Sequence, residues 1–321
     1  MPTQSTAFQF YDYHPATTDM CEEVLAGLKR QQRYISPKYF YDEKGSQIFD
    51  AICKTQAYYP TQTETRIIRD NIEEITHCIG NGCLLVEPGS GNSQKVRELL
   101  EAIQPHAYLP MDISSSYLKK AAEKLAAEYD WLDVHAVCAD FTEAVDLPYQ
   151  PKGPHRVAFF PGSSIGNFEP TEATRFLSNI AQMVGMGGGL LIGVDMKKSP
   201  EKLNAAYNDE QKLTESFNLN LLTRINRDLD ADFIVEQFSH YAFYNLLAGR
   251  IEMHLVSDCK QQVNIAGQQF DFCAGESIHT ENSYKYSIEE FQAIATQAGF
   301  TPCKVWTDTD NLFSLHYFEI K

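Results

Sequence analysis

Between residues 83 and 195 the chain alternates short apolar runs with segments whose apolar positions recur every three or four residues. Residues 83–87 read as a strand, and the helix after them places Val96, Leu99, Leu100 and Ile103 on one face. Residues 106–112 form a second strand, with Pro110 tolerable near its end. Its helix carries Leu118, Ala121, Ala122 and Leu125. Strands at 133–137 and 156–160 follow, and Ala173, Phe176, Leu177 and Ile180 mark the helix after the second of these. A fifth strand, 190–194, is introduced by Gly187-Gly188-Gly189. Apolar strands alternating with amphipathic helices predict an α/β fold, a Rossmann-like, doubly wound parallel sheet.

The flanks follow a different pattern. Residues 1–60 are rich in tyrosine and turn formers, and 197–286 hold a helical pattern at 213–229 and strand-like runs at 250–256 and 268–272. A helix at 288–298 (Phe291, Ile294, Ala295, Ala298) and strands at 303–307 and 313–319 look like a return to the first sheet. The expected organisation is a nucleotide-type domain, 61–196 plus 287–321, and a second, substrate-binding α+β domain, 1–60 plus 197–286. The active site is expected in the cleft between them.

Open parallel sheets bind ligands outside the carboxyl ends of their strands, so the residues just after each strand carry the candidate chemistry. The first turn is Glu87-Pro88-Gly89-Ser90-Gly91-Asn92-Ser93. Gly89 and Gly91 let the backbone approach a ligand where a Cβ would collide. A dinucleotide fingerprint needs a glycine at position 94, where Gln94 stands. Glu87 also disfavours a diphosphate and favours a cationic ligand; S-adenosylmethionine carries a sulfonium and an ammonium. Asp112 is placed to accept ribose hydroxyls, Asp140 the adenine amine, and Phe141 offers the purine a ring. Lys95 is either solvated or reaches the methionine carboxylate or anchors the turn. Each acid alone is more often a helix cap or a surface carboxylate; three at consecutive strand ends make the pattern.

Composition narrows the partners. The net charge of −16, from 27 Lys+Arg against 43 Asp+Glu, opposes nucleic acid and anionic membrane surfaces as partners. The eight cysteines include no C-x-x-C pair, which predicts reduced, mostly buried thiols in a cytoplasmic protein. No apolar run approaches the roughly 18 residues of a membrane span, and residues 1–19 lack the pattern of a secretory signal. The nine histidines contain no helical ligand pair, so no metal site is expected. A monomer acting on a small molecule is the expectation.

Further motifs carry a resemblance. They are Lys38-Tyr39-Phe40-Tyr41-Asp42-Glu43-Lys44-Gly45-Ser46, Tyr58-Tyr59-Pro60-Thr61, Pro161-Gly162-Ser163-Ser164-Ile165-Gly166-Asn167 and Gly193-Val194-Asp195. Ala206-Tyr207-Asn208-Asp209, Phe217-Asn218-Leu219-Asn220, Arg250-Ile251-Glu252-Met253 and Thr280-Glu281-Asn282-Ser283 continue the series. In this order, over nearly the whole chain, they resemble the ergothioneine-pathway L-histidine Nα-methyltransferases. The resemblance implies a class I methyltransferase sheet and trimethylation of L-histidine to hercynine with S-adenosylmethionine as co-substrate. It implies that Tyr41, Gly89, Lys95, Asp112, Asp140 and Phe141 hold the cofactor, beside Glu87 and Gly91 of the same turn. It implies that Tyr58, Asn167 and Tyr207, with Gly162, hold the amino and carboxylate groups of the substrate. Glu281 and Ser283 would read the imidazole, and Met253 and Phe49 would shape the pocket. Pro88 and Asn282 depart from the family pattern without replacing a contacting side chain.

The chemistry fits those residue types. Neutral Tyr and Asn side chains both donate and accept, and bind a zwitterion without a fixed charge favouring the ammonium. Only the free amine attacks the sulfonium methyl; Tyr41 or a water is placed to relay its proton, and Asn167 completes the catalytic pair. A carboxylate such as Glu281 fixes one imidazole nitrogen as donor. The plain alternatives are a solvated loop acid for Glu281 and core packing for Met253, which alternates with Ile251 and Leu255. Rival functions are methylation of another amino acid such as tryptophan, a nicotinamide-dependent oxidoreductase, opposed by Gln94, and a non-catalytic binding module, opposed by the full polar set.

Overall fold

The computed structural model describes residues 8–13 and 17–321; the reading of residues 1–19 as lacking a signal falls in part on 1–7 and 14–16, outside the described residues. Along the chain run β1 (Phe8–Asp12), α1 (Thr17–Leu28), β2 (Arg33–Tyr34), α2 (Glu43–Ile52), α3 (Tyr59–Asp70), α4 (Ile72–Ile79), β3 (Leu84–Pro88) and α5 (Arg97–Ile103). Next come β4 (Ala107–Asp112), α6 (Ser115–Glu128), β5 (Asp133–Cys138), β6 (Arg156–Phe160), α7 (Pro170–Val184), β7 (Gly189–Asp195), α8 (Pro200–Tyr207) and α9 (Leu213–Leu229). The last are β8 (Phe238–Asn245), β9 (Arg250–Ser257), β10 (Gln261–Ile265), β11 (Gln268–Phe272), β12 (Ser277–Tyr284), α10 (Ile288–Gln297), β13 (Thr301–Thr307) and β14 (Phe313–Glu319). Two compact units result. One holds β1, Pro60–Lys197 and Lys285–Lys321; the other runs from α1 to Tyr59 and resumes over Lys198–Tyr284.

The first unit is an eight-stranded sheet in the order β1-β5-β4-β3-β6-β7-β14-β13. Strands β3 to β7 are mutually parallel, while β14 runs antiparallel to β7 and β13 to β14. Beyond the added β1 this is the class I methyltransferase arrangement. The strand order reverses between β3 and β6, which is where such sheets open a ligand crevice. Every residue of β3, β4 and β7 is buried, as continuous apolar runs require of strands covered on both faces. Pro110 lies within β4; the β4–β5 ladder pairs Tyr108 with Val134 and resumes at Met111 with Val137, so the missing N–H falls in a gap.

One assignment is corrected here. Residues 1–60 were expected in the second domain, yet β1 pairs in parallel with β5, from Phe8↔Val134 to Asp12↔Cys138. Phe8 and Phe10 pack against the sheet's apolar core, and their strand covers what would otherwise be an open edge.

The second unit has a four-stranded sheet, β2-β12-β9-β8, and a separate β10-β11 hairpin. Helices α8 and α9 pack on β8, and α2 packs on α9. Asn218 of α9 is fully buried; its Nδ2 donates to the His254 carbonyl (3.0 Å) and its Oδ1 accepts from the Thr280 hydroxyl (2.8 Å). These bonds pin the helix at a β-bulge. Before it Ile278 opposes Leu255, and after it Glu281 opposes Met253. One extra residue, Thr280, changes the phase of the strand and moves Glu281 and Ser283 onto the face shared by Ile251, Met253 and Leu255. Glu281 is therefore a buried strand residue, not a loop acid.

The thiols are also less hidden than expected. Cys83 and Cys138 are buried, but Cys273 and Cys303 are exposed and the other four are half-buried; all eight are free. Among the described residues no helix is long and apolar enough to cross a membrane.

Candidate functional site

In the first unit the strand-end residues converge. Gly89 has φ +67°, and a Cβ there would lie 3.1 Å from Phe141 Cζ, so only glycine lets the turn and the ring meet this closely. The Gly91 N–H donates to Asp112 Oδ2 (3.0 Å) and the Ser114 N–H to Oδ1 (2.9 Å). Asp112 thus fixes the turn through both of its oxygens. Burial raises the Asp112 pKa against the opposing pull of these N–H bonds. Asp140 Oδ1 accepts from the N–H (3.1 Å) and hydroxyl (2.5 Å) of Thr142, and Phe141 stands edge-on to Phe160 and Phe176.

Glu87 requires a revised reading. It is 1% exposed and accepts a bond from the Tyr108 hydroxyl. Burial pushes its carboxyl up to about 8, while Tyr108 and Lys95 pull it down and Glu64 and Asp112 push it further up. In the chain alone, near pH 7, it is mostly a neutral acid rather than a standing negative charge. A neighbouring cation would turn it into a carboxylate.

Lys95 is not solvated in the structure. Its ammonium lies 2.5 Å from Oε2 of Glu64, a residue of α3 that the sequence reading missed. The Gly162 N–H lies 3.0 Å from both Glu64 oxygens. The available signal was positional: Glu64 shares a helix face with Ile67 and Ile68, an acid where an apolar residue is expected. Asn167 ends the 3-10 turn Ser164–Asn167 behind β6, and the Ser163 hydroxyl at its start accepts from the Asp195 N–H (2.8 Å). Asp195 itself pairs with the buried Lys285 (2.8 Å).

In the second unit an aromatic chain leads to the polar strand β12. Tyr41 meets Phe49 (5.7 Å between ring centroids) and Phe217 (5.6 Å); Phe49 meets Tyr58 (6.1 Å), and Tyr58 meets Tyr207 (6.2 Å). The Tyr207 hydroxyl donates to Ser283 Oγ (2.8 Å). Burial, then the nearby Tyr207, Cys53, Glu281 and Tyr41, raises the Tyr58 hydroxyl well above the usual phenol range, so it stays a neutral donor and acceptor. The structure therefore gathers Tyr41, Phe49, Tyr58, Tyr207, Met253, Glu281 and Ser283 in one unit. It gathers Glu87, Gly89, Gly91, Lys95, Asp112, Asp140, Phe141, Gly162 and Asn167 in the other. Phe217, Asn218 and Thr280 supply supporting contacts; all three stand in the motifs quoted from the sequence, without a role.

A group with metal-ligand chemistry lies on the opposite face of the second sheet. Ligand atoms of Glu252, His254 and His279 come within 4.8 Å of one another. Helical spacings do not reveal it, because strand ligands come from alternate positions and from the neighbouring strand. Glu252 Oε1 already accepts from Arg250 Nε and Asn245 Nδ2 (2.9 Å each), and the carboxylate approaches His254 only at 3.4 Å. The trio is an arginine-neutralised network.

Comparison with known proteins adds to this geometry. Residues 20–320 match the family described as histidine-specific, SAM-dependent methyltransferases. The chain is 38% identical over 302 residues to the histidine N-alpha-methyltransferase of Mycolicibacterium smegmatis, covering 91% of this chain and 92% of that protein. It is 38% identical over 299 residues, with the same coverages, to the histidine N-alpha-methyltransferase of Mycobacterium tuberculosis. A 4-dimethylallyltryptophan N-methyltransferase of Penicillium roqueforti is 27% identical over 305 residues, 89% of each chain.

Proposed function

The chain belongs to the histidine-specific, S-adenosylmethionine-dependent methyltransferases, and from that premise we propose that it methylates the α-amino nitrogen of L-histidine three times, giving hercynine for ergothioneine synthesis. The observation that carries the substrate is the bulge at Thr280, which sets Glu281 and Ser283 side by side on the Met253 face. A carboxylate accepts the N–H of one imidazole nitrogen. Tyr207 donates to Ser283 Oγ, which holds that hydroxyl on the strand beside Glu281 as the polar group for the second nitrogen. An indole has one ring nitrogen where an imidazole has two, so a pair of polar groups on this face favours histidine over tryptophan as substrate. Tyr58, held neutral, and Tyr207 offer hydrogen bonds to the amine and carboxylate without a fixed charge that would retain the ammonium.

The turn from Glu87 to Ser93 suits the methyl donor. Its acids match an ammonium, ribose hydroxyls and an adenine amine, and Glu87, which ionises beside a cation, does not suit a diphosphate. S-adenosylmethionine supplies an electrophilic methyl group; the protein's share is alignment of the attacking nitrogen with it and loss of the amine proton, whose reference pKa is roughly 8. The free thiols support a reducing, cytoplasmic setting.

Two measurements follow. A panel of free amino acids competing for one pool of S-adenosylmethionine should show histidine consumed first; preferential turnover of tryptophan would replace this reading by its sibling. The second concerns Glu87. Its free carboxyl titrates near 8, and a bound cation lowers that value, so binding below pH 8 releases a proton. Cofactor affinity should rise from pH 6 to 8 and level off above, and calorimetry in buffers of different ionisation enthalpy should detect the released proton. Affinity independent of pH, without proton release, would contradict the assignment.

A further inference from the structure

We propose that Glu64 is a positioning residue of the methyl-donor site, whose buried carboxylate sets the Lys95 ammonium and the Gly162 amide in fixed relation to the turn after β3. The proposal rests on reading that turn as the S-adenosylmethionine site. Three features of three neighbouring strands meet at this carboxylate. Lys95, in the segment following β3, lies 2.5 Å from Oε2. The Gly162 N–H, just past β6, points between the two oxygens at 3.0 Å from each. On β7, a Cβ at Gly193 would fall 2.1 Å from Oε1. Gly193 is absent from the residues of positive φ, so backbone strain does not demand a glycine there; the room for Glu64, and for the Phe313 ring beside it, does.

Glu64 is fully buried, and its charge is met by one ammonium and one backbone donor. This arrangement has two chemical consequences. The Gly162 N–H is engaged by Glu64, so it is not an open donor at this strand end. The Lys95 charge is compensated, so it does not dominate the potential at Glu87. The groups facing Glu87 are Tyr108 and Asp112 of β4, Lys95, and Glu64 of α3. Lys95 and Glu64 act on it in opposite directions.

The test is S-adenosylmethionine affinity against pH for the wild type, Glu64→Gln, Lys95→Met and the double variant, with thermal melting as the control for folding. Glu64→Gln should weaken binding about 10- to 100-fold, the loss of a charge-assisted contact. It should also move the midpoint of the affinity–pH curve to lower pH, because Lys95 is left uncompensated beside Glu87. Lys95→Met should move the midpoint to higher pH, and the double variant should bring it back towards the wild type. A purely structural carboxylate would lower the melting temperature and leave the midpoint in place. A folded Glu64→Gln with unchanged affinity and midpoint would overturn the proposal. Should that variant fail to fold, an unmoved midpoint in Lys95→Met would overturn it equally. Absence of cofactor binding by the wild type would instead refute the site reading on which the proposal stands.

Discussion

Replacing Glu281 by alanine is expected to lower kcat/KM for L-histidine by roughly 30- to 1,000-fold while the protein stays folded. Glu281 is 7% exposed, on a strand flanked by Met253 and carrying Ser283 two residues on. In such a place a carboxylate bonded to an imidazole N–H contributes about 2–4 kcal/mol, because truncation leaves the ring nitrogen desolvated without an acceptor. The loss is specific. Turnover of an amino acid whose side chain has no ring N–H should change little, so the ratio of histidine to phenylalanine turnover should collapse. Steady-state release of S-adenosylhomocysteine with each amino acid measures this. A variant that keeps histidine turnover within a factor of three would remove Glu281 from the imidazole site.

The second large effect is expected at Asp112. Asp112→Ala removes the acceptor of the Gly91 and Ser114 N–H groups at once, in a buried setting. Each unsatisfied donor costs about 1–3 kcal/mol, and the proposed ribose contacts are lost as well. Affinity for S-adenosylhomocysteine by calorimetry should fall by about 100-fold or more. Asp112→Asn, which keeps one carbonyl oxygen but turns its other edge into a donor, should fall between. Binding by the alanine variant within threefold of the wild type would show that the glycine turn holds its shape, and its ligand, without this carboxylate.

The legible part of the fold was the part that repeats. Strands β3, β4 and β7 are buried throughout and mostly apolar because both faces are covered, and the helices after β3, β4 and β6 show a clean apolar stripe, so their places could be read directly. The acids at the strand ends were legible for the same reason: a strand's end marks where a ligand approaches. β1 escaped because five residues at a sheet edge carry only the brief alternation Phe8-Gln9-Phe10. β12 escaped because the bulge at Thr280 and the polar run to Ser283 erase its two-residue period. Without the resemblance to a known family, nothing local singled out Glu281 among 43 acidic residues. The bond between Tyr207 and Ser283 spans 76 positions, and such pairings are decided by tertiary packing. The state of Glu87 was misjudged because its charge depends on burial beneath Tyr108, which no neighbour in sequence reports.

The account depends on a nitrogen that reaches the methyl donor uncharged and is methylated until it can accept no more. Mass spectrometry of L-histidine incubated with the protein and excess S-adenosylmethionine reads this directly. The predicted result is a product carrying three methyl groups on its α-nitrogen, with three equivalents of S-adenosylhomocysteine formed. Unaltered histidine beside intact S-adenosylmethionine, or methyl groups on the ring nitrogens, would contradict it.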